Sequence, residues 1–215
     1  MKLISDIEDF GELRQSMEAY GIGPQVRKYL DKCVTFHTYI APGLVIAVFM
    51  VDYALELLDA RPGDRLYAVA ETIKCVPDPL QVITHCTIGN HRLRVMPYGK
   101  FAITLNRPSD KQIVEGVRVY LDPVKVRQYT TINAWYAKSP RFDPDTMIYF
   151  LLDEILKAGR QILSFDRVMV NVPEKQKWHA VTCRSCHEMV PDVTCVDGVC
   201  EGCTPKAYYE KSDRK

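Results

Sequence analysis

The chain is 215 residues long, with 28 basic and 27 acidic side chains, a net charge of +1 and 47% hydrophobic residues. That length holds a medium domain plus a small appendage, and the near-zero charge argues against nucleic acid or an anionic membrane as partner. The start, Met1-Lys2-Leu3-Ile4-Ser5-Asp6, passes straight into an acidic stretch rather than the apolar run of a secretory signal, so a cytoplasmic protein is expected.

In chain order, Phe10, Leu13, Met17 and Tyr20 recur at spacings of three and four, which predicts a helix over Ile7 to Tyr20. Gly21-Ile22-Gly23-Pro24 breaks it. Its paired glycines lack the preceding strand and third glycine that a nucleotide loop needs. Pro42-Gly43 opens an apolar helix that runs to Leu57 or Leu58. Asp52 and Glu56 interrupt that run, which is also shorter than the ~20 residues of a membrane span. Pro62-Gly63-Asp64 reads as a turn, and Leu66 to Ala70 as a strand. Pro77-Asp78-Pro79 reads as an interruption before a short helix from Leu80 to His85. Leu93 to Met96 and Phe101 to Leu105 read as two strands joined in a hairpin by Pro97-Tyr98-Gly99. Val114 to Leu121 alternates as a further strand. Asp143-Pro144-Asp145 starts a helix that ends at Gly159, and Ile162 to Val172 is a last strand. Glu174-Lys175-Gln176-Lys177 is the expected linker. Helices mixed with mostly antiparallel strands make an α+β core domain over residues 1–173, followed by a small zinc-ribbon or treble-clef-like subdomain over residues 178–215.

Five of the eight cysteines lie between Cys183 and Cys203. Cys183-Arg184-Ser185-Cys186 and Cys200-Glu201-Gly202-Cys203 are two Cys-x-x-Cys knuckles separated by thirteen residues. A two-residue gap lets both thiolates of a knuckle face one ion, and two knuckles complete a tetrahedron. Zinc is the expected metal, with iron its chemical competitor. A site filled by four cysteines has no open position and is therefore structural. Asp197-Gly198 predicts a tight hairpin between the knuckles. Cys195 and His187 are bystanders that could each replace a ligand.

The core domain carries a second constellation. Phe36-His37-Thr38-Tyr39-Ile40-Ala41-Pro42-Gly43 sets a histidine just before the apolar helix, whose free N–H groups suit an anionic ligand. Glu71, Cys75, Asp78 and Gln81 follow, then His85-Cys86-Thr87-Ile88-Gly89-Asn90 and Tyr98-Gly99-Lys100. Each has a plain structural explanation: a satisfied core histidine, small buried thiols, an aspartate turn, a solvated lysine. As a set they place metal-preferring and acid–base side chains around turns.

These segments, in this order and spacing, resemble the E subunits of formylmethanofuran dehydrogenase (the FmdE/FwdE family) over roughly residues 33–121. The resemblance implies an α+β core, a homodimer, and a cleft lined by His and Cys that holds a metal. Cysteine knuckles at the end of the chain are a common extension in that family. The family pattern His-Gly-His-x-Cys-Pro-Gly is altered here, with Tyr39 at its second His and Ala41 at its Cys. That leaves His37 and Cys75, with Cys86 or His85, as candidate ligands of a second metal with an open position. Asp78 or Glu71 would act as acid–base or supporting group, with Gln81 nearby and Lys100 as electrostatic stabiliser. Three roles fit: a metal-binding protein acting on a small anionic molecule, a non-catalytic accessory or metal-handling module, and a zinc-ribbon regulator that contacts protein or nucleic acid.

Overall fold

The break at Gly21 falls where the sequence places it. In the computed structural model, which describes residues 7–61, 63–174 and 176–210, α1 (Ile7–Ala19) stops short of it and Gly21 takes φ +67°. Leu13 and Met17 are buried while Tyr20 is exposed and donates to Asp153; the Phe10 side chain lies outside the described residues. Pro24 then starts α2 (Pro24–His37), a helix that the sequence analysis does not assign, which buries Tyr29, Leu30 and Cys33 on one face.

Helix α3 (Pro42–Leu57) is the centre of the core unit. It is buried continuously from Gly43 to Val51 and again at Ala54 and Leu55. The same chain covers it, through α2, α7 (Pro144–Ala158) and the strands β3 (Ala102–Asn106) and β4 (Ile113–Leu121). The two acids in its apolar run are both answered by Arg160, which pairs with Asp52 and, at 2.7 Å, with Glu56. The carbonyls that a helix leaves unpaired at its C-terminal end are met by arginines. Arg167 donates to Leu57, and Arg107 to Leu58 and Asp59. In the following turn Gly63 has φ +99°; Pro62 lies outside the described residues.

The sheet corrects one expectation. With β1 (Tyr67–Ala70), β2 (Leu93–Val95) and β5 (Leu163–Asn171), the strands stand in the order β2-β1-β3-β4-β5. β2 and β3 therefore form no hairpin, because β1 lies between them, parallel to β2 and antiparallel to β3. The segment around Gly99 crosses the end of β1 and is bonded to it. Met96 donates to the Ala70 carbonyl, Lys100 to the Glu71 carbonyl, and Glu71 to the Ala102 carbonyl. β1 turns Ala68 and Ala70 inward, both buried.

A second correction concerns Pro77-Asp78-Pro79, which begins a helix rather than interrupting the chain. α4 (Pro77–Thr84) has Pro77 at its first position, where the missing N–H costs nothing. α5 (Pro123–Val126) and α6 (Thr130–Tyr136) are short helices that the sequence analysis does not assign either. α7 starts and ends as expected, with the Asp143 carboxylate accepting from the Asp145 N–H and Gly159 at φ +51°.

The chain divides into two units, one ending at Val172 and one beginning at Pro173. In the second unit β6 (Ala180–Thr182) pairs with β7 (Met189–Pro191), and β8 (Cys195–Val196) with β9 (Val199–Cys200). Asp197 and Gly198, at φ +49° and +75°, form the two-residue turn of the second hairpin. No helix among the described residues is long and apolar enough to cross a membrane.

Candidate functional site

The terminal unit builds its interior around sulfur. The β6–β7 hairpin carries the first knuckle at its turn, closed by Cys183 N–H to the Glu188 carbonyl and His187 N–H to the Cys183 carbonyl. The β8–β9 hairpin delivers Cys200, and one tight turn later comes Cys203. One ligand atom from each of Cys183, Cys186, Cys200 and Cys203 lies within 4.8 Å of the others. The Cys186 and Cys200 sulfurs are 3.9 Å apart. A tetrahedron of thiolates with zinc–sulfur bonds of about 2.3 Å has edges of about 3.8 Å, so the tetrad fits a single ion of that size. Neither Cys195 nor His187 belongs to this group.

The thiols of the tetrad are unequal in acidity. Backbone N–H groups of Cys186, Cys200 and Ser185 aim at the Cys183 sulfur and bring its pKa down to about 6. Burial and the neighbouring thiols push Cys200 up to about 12. Four thiols this close resist joint ionisation, and a divalent ion removes that resistance by binding them as thiolates.

In the core unit two helix ends of opposite polarity meet. His37 stands in the last turn of α2 and Asp78 in the first turn of α4, the helix end whose dipole suits a carboxylate. His37 Nδ1 and Asp78 Oδ2 are 2.6 Å apart, with the imidazole nearly buried and the carboxylate partly open. Tyr39 packs on the imidazole with ring centroids 4.6 Å apart. The neutral tautomer that donates from Nδ1 to this carboxylate presents Nε2 as a lone pair. Among the described residues, His37 Nε2 is the buried side-chain polar atom without a hydrogen-bond partner. Leaving such an atom unpaired costs about 1–3 kcal/mol, and a carboxylate behind a histidine is how proteins orient a metal-binding or proton-transferring imidazole.

Cys75 precedes α4 at φ +49°, and the Val76 N–H turns back to the Lys74 carbonyl around it. That positive-φ turn is rare for a non-glycine residue and costs about 1–3 kcal/mol. The thiol lies against the first turn of α3: a Cβ added to Gly43 would stand 3.2 Å from Cys75 Sγ and 3.2 Å from Phe101 Cζ. Glycine at position 43 is what lets the thiol approach the helix. Burial, and then the Asp78 charge, hold the Cys75 thiol above its ordinary pKa.

The remaining sequence candidates sit differently. Cys86 is fully buried and its thiol donates to the Leu66 carbonyl at 3.2 Å. His37, Cys75 and Cys86 do not make a second group of three mutually close ligand atoms, the C-terminal tetrad being such a group among the described residues. Glu71 is buried and held by Arg118 through bonds of 2.6 and 2.9 Å, a partner that no local sequence signal points to. Gln81 is half-buried one turn beyond Asp78, and Lys100 and His85 are exposed. The Thr87–Asn90 segment closes on itself, Thr87 and Asn90 each accepting from the other's N–H while the Asn90 amide reaches the His85 carbonyl. Its residues serve loop architecture. Two open grooves of about 290 and 450 Å³, one beside Phe150 and one beside Arg160, are lined by neither His37 nor Cys75.

A family described as FmdE, molybdenum formylmethanofuran dehydrogenase operon, matches residues 36–170. A crystal structure of an FmdE-like protein of the tungsten formylmethanofuran dehydrogenase type, from Syntrophus aciditrophicus, is 33% identical. It superposes with a TM-score of 0.71 over 86% of this chain and 95% of that one. A probable S-adenosyl-L-methionine-binding protein of Archaeoglobus fulgidus is 34% identical over 116 residues, which are 51% of this chain. The chain spans only 31% of the length of that relative.

Proposed function

This chain belongs to the FmdE family, and from that premise we propose that it is a two-site metal-binding protein. A structural zinc is held by Cys183, Cys186, Cys200 and Cys203, and a His37-centred site in the core unit takes a divalent metal or a small anionic molecule. The observation that carries the second site is the buried, unpartnered Nε2 of a histidine whose other nitrogen is fixed by Asp78. Cys75 is its proposed sulfur partner, and Asp78 orients the ring and holds its proton. The first turn of α3 lies beside Cys75, and the positive end of its dipole suits an anion. Cys86 is spent on the Leu66 carbonyl, so the proposed site rests on His37 and Cys75.

When bound, a divalent ion with an open position would supply Lewis acidity there. The reading also includes a homodimer, as the family resemblance implies, and a cytoplasmic location, which suits cysteines gathered in knuckles rather than spread as disulfides. The experiment is metal analysis of the full-length protein, purified reduced and then incubated with Zn²⁺ or Co²⁺. The wild type should take up about one ion more than the tetrad holds, and His37→Ala should lose that ion while keeping the tetrad's. A His37→Ala protein with unchanged ion content and unchanged binding of small anions would remove the second site.

A further inference from the structure

The fifth cysteine of the terminal unit is placed where it can act. Cys195 and Cys200 are cross-strand partners in the β8–β9 hairpin, one pair away from its two-residue turn. In such a hairpin the pair nearest the turn, here Val196 and Val199, exchanges the ladder bonds, and the next pair exchanges none. The amides agree. Cys195 N–H goes to the Asp192 carbonyl and Cys200 N–H to the Cys183 sulfur, so neither points at the opposite strand. Residues in a non-hydrogen-bonded pair have Cα atoms about 4.5 Å apart with both side chains on one face. That lies within the span of about 4.4–6.8 Å that a disulfide bridges. Cys200 is a ligand of the tetrad and Cys195 is not. Cys195 is half-buried, and its neighbour Val196 is 70% exposed at the hairpin tip.

We infer that Cys195 and Cys200 form a redox-active thiol pair, in which oxidation by a hydroperoxide joins them as a disulfide and dismantles the four-cysteine site. The inference rests on the proposed reading of that tetrad as a metal centre. In the first step the Cys195 sulfur attacks the peroxide oxygen, giving a sulfenic acid and releasing water or an alcohol. In the second the Cys200 thiolate gives up its bond to the ion and attacks the sulfenic sulfur, the S–S bond forms, and the oxygen takes a proton from solvent and leaves as water. Two thiols are oxidised by two electrons and one peroxide is reduced by two. Three thiolates remain where four stood, and the ion held by them is released. A dithiol reductant reverses the bond and restores the ligand set.

The test uses the full-length, metal-loaded protein with hydrogen peroxide as the oxidant. Released metal is followed with a chromogenic chelator, and disulfides are mapped by mass spectrometry of non-reduced peptides. The expected result is metal release in step with a Cys195–Cys200 link, slowed about tenfold or more in Cys195→Ser. Before oxidation, Cys195→Ser should carry as much metal as the wild type. Equal release rates in the two proteins, or links confined to Cys183–Cys186 and Cys200–Cys203, would overturn the inference. So would loss of metal from untreated Cys195→Ser, since Cys195 would then be a ligand. Absence of metal from the untreated wild type would instead overturn the metal-centre reading, and the peptide map would still decide whether Cys195 and Cys200 pair.

Discussion

The two units of this chain solve the problem of having an interior in opposite ways. In the core unit the interior is aliphatic: α3 is enclosed along most of its length, and β3 and β4 turn Ile103, Leu105, Val117 and Val119 inward, all fully buried. In the terminal unit the buried hydrophobic side chains among the described residues are Cys183 and Cys200. Its Trp178, Met189, Val196 and Tyr208 are exposed. Ordering backbone costs about 1–2 kcal/mol per residue, and two buried thiols do not offset that for a segment of this length. Units this small fold with a metal or cross-links in place of a large core. Cys33 and Cys86 accordingly pack in the core unit, whereas the terminal unit gathers four cysteines into one cluster able to hold an ion.

That contrast is broken most decisively at the knuckles. Cys183→Ser combined with Cys186→Ser should release the tetrad's metal and unfold the terminal unit, because apparent binding energies of structural zinc run to about 10–16 kcal/mol and are folding energy. Limited proteolysis should then cut beyond Pro173 while the unfolding transition of the core unit stays where it was. Retention of metal, or loss of the core transition, would end the division of labour described above. The converse change is Ile46→Ala at a fully buried position of α3. It should cost about 2–5 kcal/mol of core stability in a denaturant titration, with the metal content of the protein unchanged.

Much of this division is legible in the sequence, and what was missed has physical causes. The knuckles, α3 and α7 announce themselves through local signals: paired cysteines, a proline followed by an apolar run, an aspartate cap. The Pro97-Tyr98-Gly99 segment misled because a turn residue fixes a bend but not which strands flank it. The partner of β2 and β3 is β1, more than twenty residues upstream of β2. Pro77-Asp78-Pro79 misled because proline both breaks and begins helices, and its position within the helix decides between them. At the candidate site the sequence marks the His37 and Asp78 segments, but no local signal reveals a direct contact across 41 residues. Glu71 has the chemistry of a candidate acid in the sequence, while the partner that holds it, Arg118, lies 47 residues away. Cys86 and Asn90 lie in one of the segments that carry the resemblance, and the structure gives both to loop and core bonding.

A smaller effect is set by pH within the core unit. Burial pushes the Cys33 thiol from its ordinary 9.0 to about 12, with Asp78 adding to the shift. Its proton is therefore held more tightly in the folded chain. The resulting stability is complete below pH 9 and is lost as pH rises from there towards 12. Cys33→Ala should flatten that alkaline decline in core stability, measured by denaturant midpoint at each pH. At the acid end, the Ser164 hydroxyl and the Val124 and Lys125 amides hold the Asp122 carboxyl below its ordinary 3.8. Its contribution is present above pH 3.8 and fades as pH falls below it.

The smallest predicted change tests whether capping or burial holds a helix of the core unit. Asp143 accepts from the Asp145 N–H at 3.0 Å and from the Thr146 hydroxyl at 2.8 Å, with Pro144 at the first helical position. It does so in solvent, whereas the opposite side of α7 buries Leu151, Leu152, Ile155 and Leu156. Asp143→Ala removes one orphan-donor partner and should cost about 1 kcal/mol. Asp143→Ser, which can still accept from that amide, should recover most of the loss. The denaturant midpoint should move without a change in slope, since the surface exposed on unfolding is the same. A loss as large as that of Ile46→Ala would mean that the start of α7 is held by its cap alone. Equal stability of Asp143→Ala and the wild type would mean that Pro144 and the buried face fix the helix start without any help from the carboxylate.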